Sequence, residues 1–269
     1  MTGWKSQIEP DDPCWEGYRS CLEVLDGEAF PDPERLNQLL PPCTSNRNGR
    51  PIRFVPATEL PGLDYERHIF ETGQVSTREN NWHDLFNALV WCRLPELKAT
   101  MNSLHFEHLQ YDREGRRGKL RDALTLLDES GVIVSGSDIG ALNALARRDW
   151  SSAFVTHRES WGTQLQVLVC GHAILEKLMQ PYKAITAHAL LIHTPAPHSA
   201  EELDQLLGSS LAKRRWLESP AGLSPLPLAG IPGWWASCAQ DDVFYLDTAV
   251  FRPASPGRPL APVRRIGTA

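Results

Sequence analysis

Four polar residues recur inside an otherwise apolar stretch of the chain: Asn80, His83, Asp84 and Asn87. In a helix they would fall at i, i+3, i+4 and i+7 and share one face. Burying a carboxylate, an imidazole and two carboxamides is costly unless each finds a partner. This stripe therefore predicts either a functional site or a closed hydrogen-bond network.

In a functional site, His83 and Asp84 would ligate a metal ion or serve as a base and its orienting carboxylate. Asn80 and Asn87 would support them as neutral hydrogen-bonding neighbours in a second layer. In a network, the same side chains would tie the helix to its neighbours, as most buried polar groups do.

Further candidate ligands lie later in the chain. His172 and Glu176 are four residues apart, so a helix places both on one face, where they could bind zinc, iron or manganese. A local hydrogen bond between them is the alternative. His188 lies in the apolar run TAHAL (186–190) and is either a core histidine or a further ligand. If His83, His172 and His188 converge, they suit a three-ligand centre with an open position.

A carboxylate pair could supply the base for such a centre. Asp122 and Glu129 are seven residues apart and would share a face of one continuous helix. Either could take a proton from water activated by the metal ion. The segment DESG (128–131) is equally typical of an ordinary turn, so a turn remains the alternative.

Composition narrows the class of protein. The 269 residues carry a net charge of −6, which disfavours a general nucleic-acid binder because such proteins neutralise phosphates with Lys and Arg. The chain has neither G-x-G-x-x-G nor a phosphate-binding loop motif, so no nucleotide cofactor is indicated. We find no apolar leader and no apolar run near the roughly 20 residues of a membrane span. With six scattered cysteines, the expected location is the reducing cytoplasm.

Capping signals predict a helical hairpin around the polar stripe. Ser76 and Glu79 fit a capping box that would begin a helix ending near Arg93. Pro95 is suited to the first position of a second helix, which would run to about residue 110.

Other elements are predicted from apolar patterns and turn residues. Helices are expected at residues 31–40, 137–148 and 162–179, and strands at 52–55, 132–134 and 244–246. Residues 63–70 and 184–193 fit either an extended segment or a helix, and 120–127 fit a helix or one arm of a hairpin. The Pro- and Gly-rich residues 219–232 indicate irregular structure.

Several motifs together resemble a bacterial family catalogued as domain of unknown function 3025. They are ENNWHDLFNALVW (79–91), RDALTLLDESG (121–131), GHAILEK (171–177), TAHAL (186–190) and GIPGWW (230–235). The resemblance covers about residues 50–253 and implies a bacterial, proteobacterial source. It implies no activity and no catalytic residues.

These patterns favour a mainly helical α+β fold in a single domain, with short strands and a long irregular C-terminal section. We expect an irregular segment at 1–50, a core at 51–253 and a flexible tail at 254–269. Our leading hypothesis is a metal-dependent hydrolase that acts on a small molecule or a modified polymer. The alternative is a non-catalytic binding or scaffold protein in which the same residues form a buried network.

Overall fold

A computed structural model describes residues 3–25, 27–57, 64–109, 118–213, 216–236, 238–257 and 259–266. Its elements confirm a mainly helical α+β fold class. Its contacts form two compact units, which the sequence did not indicate. The first comprises residues 1–124 and 198–216, and the second comprises residues 125–197 and 217–269.

The first unit contains most of the helices and a small sheet. Its helices are α1 (Arg19–Val24), α2 (Pro33–Asn37), α3 (Tyr65–Thr72), α4 (Trp82–Arg93), α5 (Pro95–Leu109) and α9 (Ala200–Ala212). Its strands β1 (Arg53–Pro56) and β2 (Gln74–Thr77) pair in parallel. The division between the units falls inside α6 (Lys119–Ser130), whose last six residues belong to the second unit.

The second unit is built on one sheet. Its strands are β3 (Gly131–Gly136), β4 (Leu165–Val169), β5 (Thr186–His193), β6 (Ser224–Pro227) and β7 (Arg264–Arg265), and its other α-helices are α7 (Ile139–Arg147) and α8 (His172–Leu178). The strand order is β4-β3-β5-β6, with β7 also pairing with β5. All six residues of β3 are buried, so this strand forms the centre of the unit between antiparallel β4 and parallel β5.

The predicted hairpin elements exist, but the first helix begins later than expected. Residues 74–77 form β2, and Asn81 caps α4 by accepting a hydrogen bond from the Asp84 N–H. The Ser76–Glu79 capping box is therefore wrong, because pairing with β1 holds Ser76 in a strand. Pro95 begins α5 as predicted.

The start of α5 is capped from a helix that is distant in sequence. The Asp204 carboxylate of α9 accepts hydrogen bonds from the N–H groups of Glu96 and Leu97, at 2.9 and 2.8 Å. Pro95 has no N–H of its own to satisfy. One buried carboxylate therefore satisfies two of the amides that a helix start leaves without an intrahelical partner.

Three later predictions are wrong. Residues 162–179 form β4 and α8 rather than one helix, because the chain between them passes through Gly171 at the edge of the sheet. Residues 244–246 form a 3-10 turn, and residues 224–227 form β6 despite two prolines. Beyond these three, Arg264–Arg265 forms β7 and pairs with β5; the flexible tail expected at 254–269 stays a prediction.

Replacement of Asp204 tests the cap of α5 through pH. Burial raises the pKa of Asp204 to about 6, so between about pH 4 and 6 the folded state holds a proton that the unfolded chain releases. This group's contribution to stability is therefore greatest below about pH 4 and falls by roughly 1–3 kcal/mol as the pH rises to 6. In Asp204→Asn that fall should disappear from urea unfolding curves measured between pH 4 and 7. The control is Asp11→Asn, at a fully exposed carboxylate, whose free energy of unfolding should depend on pH as in the wild type. An unchanged pH dependence in Asp204→Asn would contradict the assignment.

Candidate functional site

Two glycines bring the end of α6 and the start of α8 together. The carbonyl of Gly131 accepts hydrogen bonds from the N–H groups of Cys170 and Gly171, at 3.0 and 2.8 Å. A Cβ atom on Gly171 would lie 2.3 Å from the Gly131 nitrogen and 2.7 Å from the Glu129 carbonyl oxygen. Because only glycine fits this gap, it fixes His172, the first residue of α8, beside the last turn of α6.

His172 lies between two carboxylates. Its imidazole is buried, with Nδ1 3.9 Å from Asp128 Oδ2 and Nε2 3.6 Å from Glu129 Oε2. The Glu129 side chain is 44% exposed and that of Asp128 is 17% exposed. Solvent therefore reaches this cluster from the Glu129 side.

The three side chains form an Asp128–His172–Glu129 cluster with one carboxylate facing each ring nitrogen. A carboxylate on one nitrogen of a histidine commonly orients the ring so that the other nitrogen can bind a metal ion. Glu129 and His172 offer ligand atoms that could hold such an ion. No ion identity follows from these residue types, since zinc, iron and manganese all accept nitrogen and oxygen.

Asp84 is engaged elsewhere. Its Oδ2 accepts hydrogen bonds from the backbone N–H and Nε of Arg78, and its Oδ1 accepts one from the Arg78 guanidinium. Burial would raise the pKa of Asp84, but the hydrogen bonds and charge of Arg78 lower it below the usual value. Within its unit, Asp84 ties the first turn of α4 to the preceding loop.

The two asparagines differ from the predicted stripe. Asn80 precedes α4 in a left-handed conformation, with φ of 51°, so it does not share a helical face with His83. Asn87 lies within α4, donates to the Tyr65 hydroxyl at 2.9 Å and accepts from Lys98 Nζ at 2.8 Å. Asn87 therefore belongs to a buried hydrogen-bond network, the alternative reading of the stripe.

Three other candidates can be placed. His83 is half-buried in the first turn of α4, and Glu176 is exposed on α8 one turn after His172. Asp122 is half-buried near the start of α6. The helix that was predicted for this segment is continuous to Ser130, which separates Asp122 and Glu129 by roughly 10 Å of axial rise.

His188 is held by the residue after Glu129. Ser130 Oγ donates to the Leu126 carbonyl at 3.0 Å and lies 2.8 Å from His188 Nδ1. Because the single hydroxyl proton is used on Leu126, Nδ1 carries the proton in the other hydrogen bond and Nε2 keeps its lone pair. Burial and the nearby positive charge of Lys177 lower the pKa of His188, which favours this neutral form.

Sequence reasoning missed the part that Asp128 takes in the cluster. The DESG segment was weighed as a turn, whereas the helix continues through it and presents both acids to His172. Two glycines could have indicated that Asp128 lies beside His172: Gly131, just after the end of α6, and Gly171, just before His172.

A second pairing of an acid and a histidine was also missed. Asp138 caps α7 by accepting from the Ala141 N–H, and its Oδ2 lies 2.8 Å from His157 Nδ1 and accepts from the Ser160 hydroxyl at 2.5 Å. Burial would raise the pKa of Asp138, but the hydrogen bonds from Ser160, Ala141 and His157 lower it. The pairing joins the start of α7 to the segment before β4.

These features define an α+β protein with a carboxylate–histidine cluster at the end of a helix. The model of a family described as a protein of unknown function (DUF3025) matches residues 52–255. The chain belongs to this family, as its motifs indicated. No curated protein and no solved structure matches the chain. Among the described residues, every helix is too short or too polar to cross a membrane.

Asp84→Ala should destabilise the first unit by roughly 1–3 kcal/mol, because it removes the acceptor of three hydrogen bonds from Arg78. The pKa of Asp84 is lowered on folding, so the stabilisation is present above its unfolded value and is lost as the pH falls through the folded value. Chemical denaturation at pH 7 and pH 3 measures both effects. Glu79→Ala, at an exposed position nearby, serves as the control, and an equal loss in both variants would refute the role of Asp84.

Gly171→Ala should destabilise the second unit by roughly 1–3 kcal/mol or more, because the new methyl group would overlap the Gly131 nitrogen and the Glu129 carbonyl. The matched control is Gly118→Ala, where a Cβ would meet nothing within 4 Å. Gly118 shows no positive φ, so its replacement should be neutral or slightly stabilising. Thermal unfolding of both variants gives the comparison, and equal melting temperatures would show that the gap at Gly171 is not a constraint.

Proposed function

We propose that this protein is a metal-dependent hydrolase whose ion is bound by His172 and Glu129. The observation that carries the proposal is the pair of carboxylates on the two ring nitrogens of His172. The substrate would be a small molecule or a modified polymer with an ester, amide or phosphate bond.

The distances in the cluster suit an ion between the side chains. Two ligands of a tetrahedral zinc, each bound at about 2.0–2.1 Å, lie roughly 3.3 Å apart. His172 Nε2 and Glu129 Oε2 are 3.6 Å apart, which is longer than an ordinary hydrogen bond. Small side-chain movements would therefore bring both atoms to metal-binding distance.

The enclosed carboxylate would orient the ligand. Asp128 Oδ2 lies 3.9 Å from Nδ1 of His172, and a small side-chain movement to hydrogen-bond distance would favour the tautomer that directs the Nε2 lone pair towards the ion. The carboxylate also makes the imidazole a stronger ligand. Asp128 would therefore position the histidine without binding the ion itself.

A divalent ion with few protein ligands would supply Lewis acidity and activate water for hydrolysis. Glu129 is the more exposed acid of the cluster, so a substrate could approach from its side. Here Glu129 is assigned as a ligand, whereas the sequence had nominated it as a base.

The non-catalytic alternative also has a specific observation behind it. Asp84, Asn87 and His188, three residues of the predicted centre, all bond to other protein groups. If the Asp128–His172–Glu129 cluster likewise serves only to bond protein groups to one another, it is a structural ion pair that joins α6 to α8. Metal content separates these two functions directly.

Metal content should depend on the cluster residue by residue. Protein purified without an affinity tag should contain about one equivalent of zinc, iron or manganese by elemental analysis, with a melting temperature that EDTA lowers. His172→Ala and Glu129→Gln should lose the ion, and Asp128→Asn should weaken its binding roughly 10–100-fold.

Glu176→Gln is the matched control, because Glu176 lies on the same helix as His172 but is exposed; this variant should retain the ion. His83→Ala is measured alongside, because the sequence also nominated His83 as a ligand. The proposal fails if the wild-type protein binds none of the three ions after reloading, or if Glu129→Gln retains a full equivalent.

A further inference from the structure

The second unit contains a cavity whose lining includes Arg148 and His188. Its volume is about 330 Å³, at the lower end of the range for small-molecule sites. Most of its lining is apolar, including Leu126, Leu223, Pro225 and Leu260. Four side chains in the lining are polar, namely Arg148, His188, Ser224 and Ser255. The Ser224 hydroxyl already donates to the Leu145 carbonyl, and Arg148 and His188 are the two ionisable groups.

Arg148 brings a positive charge to this cavity. Within the part of the chain that the structure describes, no carboxylate forms an ion pair with its guanidinium. It follows the last residue of α7 in a left-handed conformation, with φ of 55° and ψ of 37°. Glycine adopts that conformation without strain, whereas arginine does not.

The positive charge of Arg148 also suits a structural role at the end of α7. A cation near the C-terminal end of a helix interacts favourably with the helix dipole. Arg147, in the last turn of α7, already occupies such a position and is exposed. Arg148 differs because it lines the cavity.

His188 supplies the complementary group. Its Nδ1 is bonded to Ser130, so the remaining polar atom of the ring is Nε2, which accepts a hydrogen bond in the neutral form. Burial favours that neutral form by lowering the pKa of His188. The lining therefore offers one positive charge, one neutral ring acceptor, two serine hydroxyls and an apolar wall.

One wall of the cavity is formed by residues between Ala254 and Ala261, and the chain is anchored on both sides of this segment. Phe251 is buried in an aromatic cluster with Phe154 and Tyr245, just before the wall residues Ala254 and Ser255. On the other side, β7 pairs with β5 shortly after Ala261. The segment that sequence analysis treated as a tail thus helps to form the cavity.

We propose that this cavity binds a small monocarboxylate that has an apolar body and a hydroxyl or amide N–H group. The guanidinium of Arg148 would bind the carboxylate through paired hydrogen bonds. His188 Nε2 would accept from the hydroxyl or N–H, and the leucines and prolines would contact the body. A single cation matches a monoanion better than a phosphate, which attracts several donors.

The test uses probes that differ by one group. Mandelate carries the carboxylate and the hydroxyl, phenylacetate lacks the hydroxyl, and methyl mandelate lacks the charge. 3-Hydroxy acids of about four to ten carbons cover other body shapes that a cavity of this size could hold. Calorimetric titration in EDTA keeps the result independent of any metal ion, so failure of the proposed hydrolase would leave this inference standing.

Among the probes that bind, the hydroxy acid should bind more tightly than its deoxy analogue, and the ester should bind weakest. Arg148→Asn should weaken carboxylate binding about tenfold or more, since asparagine tolerates the left-handed conformation. Arg147→Asn, the matched control on the same helix, should leave it unchanged. His188→Leu should abolish the preference for the hydroxy acid while phenylacetate binding persists.

Three outcomes would overturn the inference. One is that none of the carboxylates binds in an Arg148-dependent way. Another is that Arg147→Asn and Arg148→Asn have equal effects, which would indicate general charge attraction. The third is that inorganic phosphate binds more tightly than every carboxylate, which would assign a different anion to the cavity.

Discussion

The close approach of Gly171 to Gly131 determines where the chemistry of the second unit can lie. The Gly131 carbonyl accepts two backbone hydrogen bonds from the chain that leads into α8. Neither glycine has room for a side chain, since a Cβ on Gly131 would lie 2.1 Å from the Leu127 carbonyl oxygen. The end of α6, the start of the central strand β3 and the start of α8 therefore occupy one small volume.

The three polar residues at the end of α6 take different directions from this point. Asp128 and Glu129 face the two ring nitrogens of His172, whereas Ser130 bonds to His188 on β5. The Asp128–His172–Glu129 cluster and the cavity that contains His188 thus share a single structural support. Because β3 pairs with β5 directly beside this turn, the position of His188 is fixed by the same sheet that anchors α6.

Polar groups in the first unit follow a different principle. Asp84, Asn87 and Asp204 each complete a hydrogen-bond requirement of the fold: an Arg78 side chain, a buried lysine or a helix start. Their protein partners account for the cost of their burial. The polar stripe that first suggested a site therefore includes residues with clear structural roles, which residue type alone could not distinguish from ligands.

The sequence determined the mainly helical α+β class and the helix start at Pro95, and it nominated His172 as a candidate ligand, but it left residues 120–127 open between a helix and one arm of a hairpin. These features depend on local signals, such as a proline at the first position of a helix and an apolar period of a helix or a strand. Tertiary structure decided the rest. Pairing of β2 with β1 displaced the predicted helix cap at Ser76. The packing of two glycines brought Asp128 and Glu129 beside His172. Spacing along the chain fixes which residues share a helix face, but contacts between distant segments fix which faces meet.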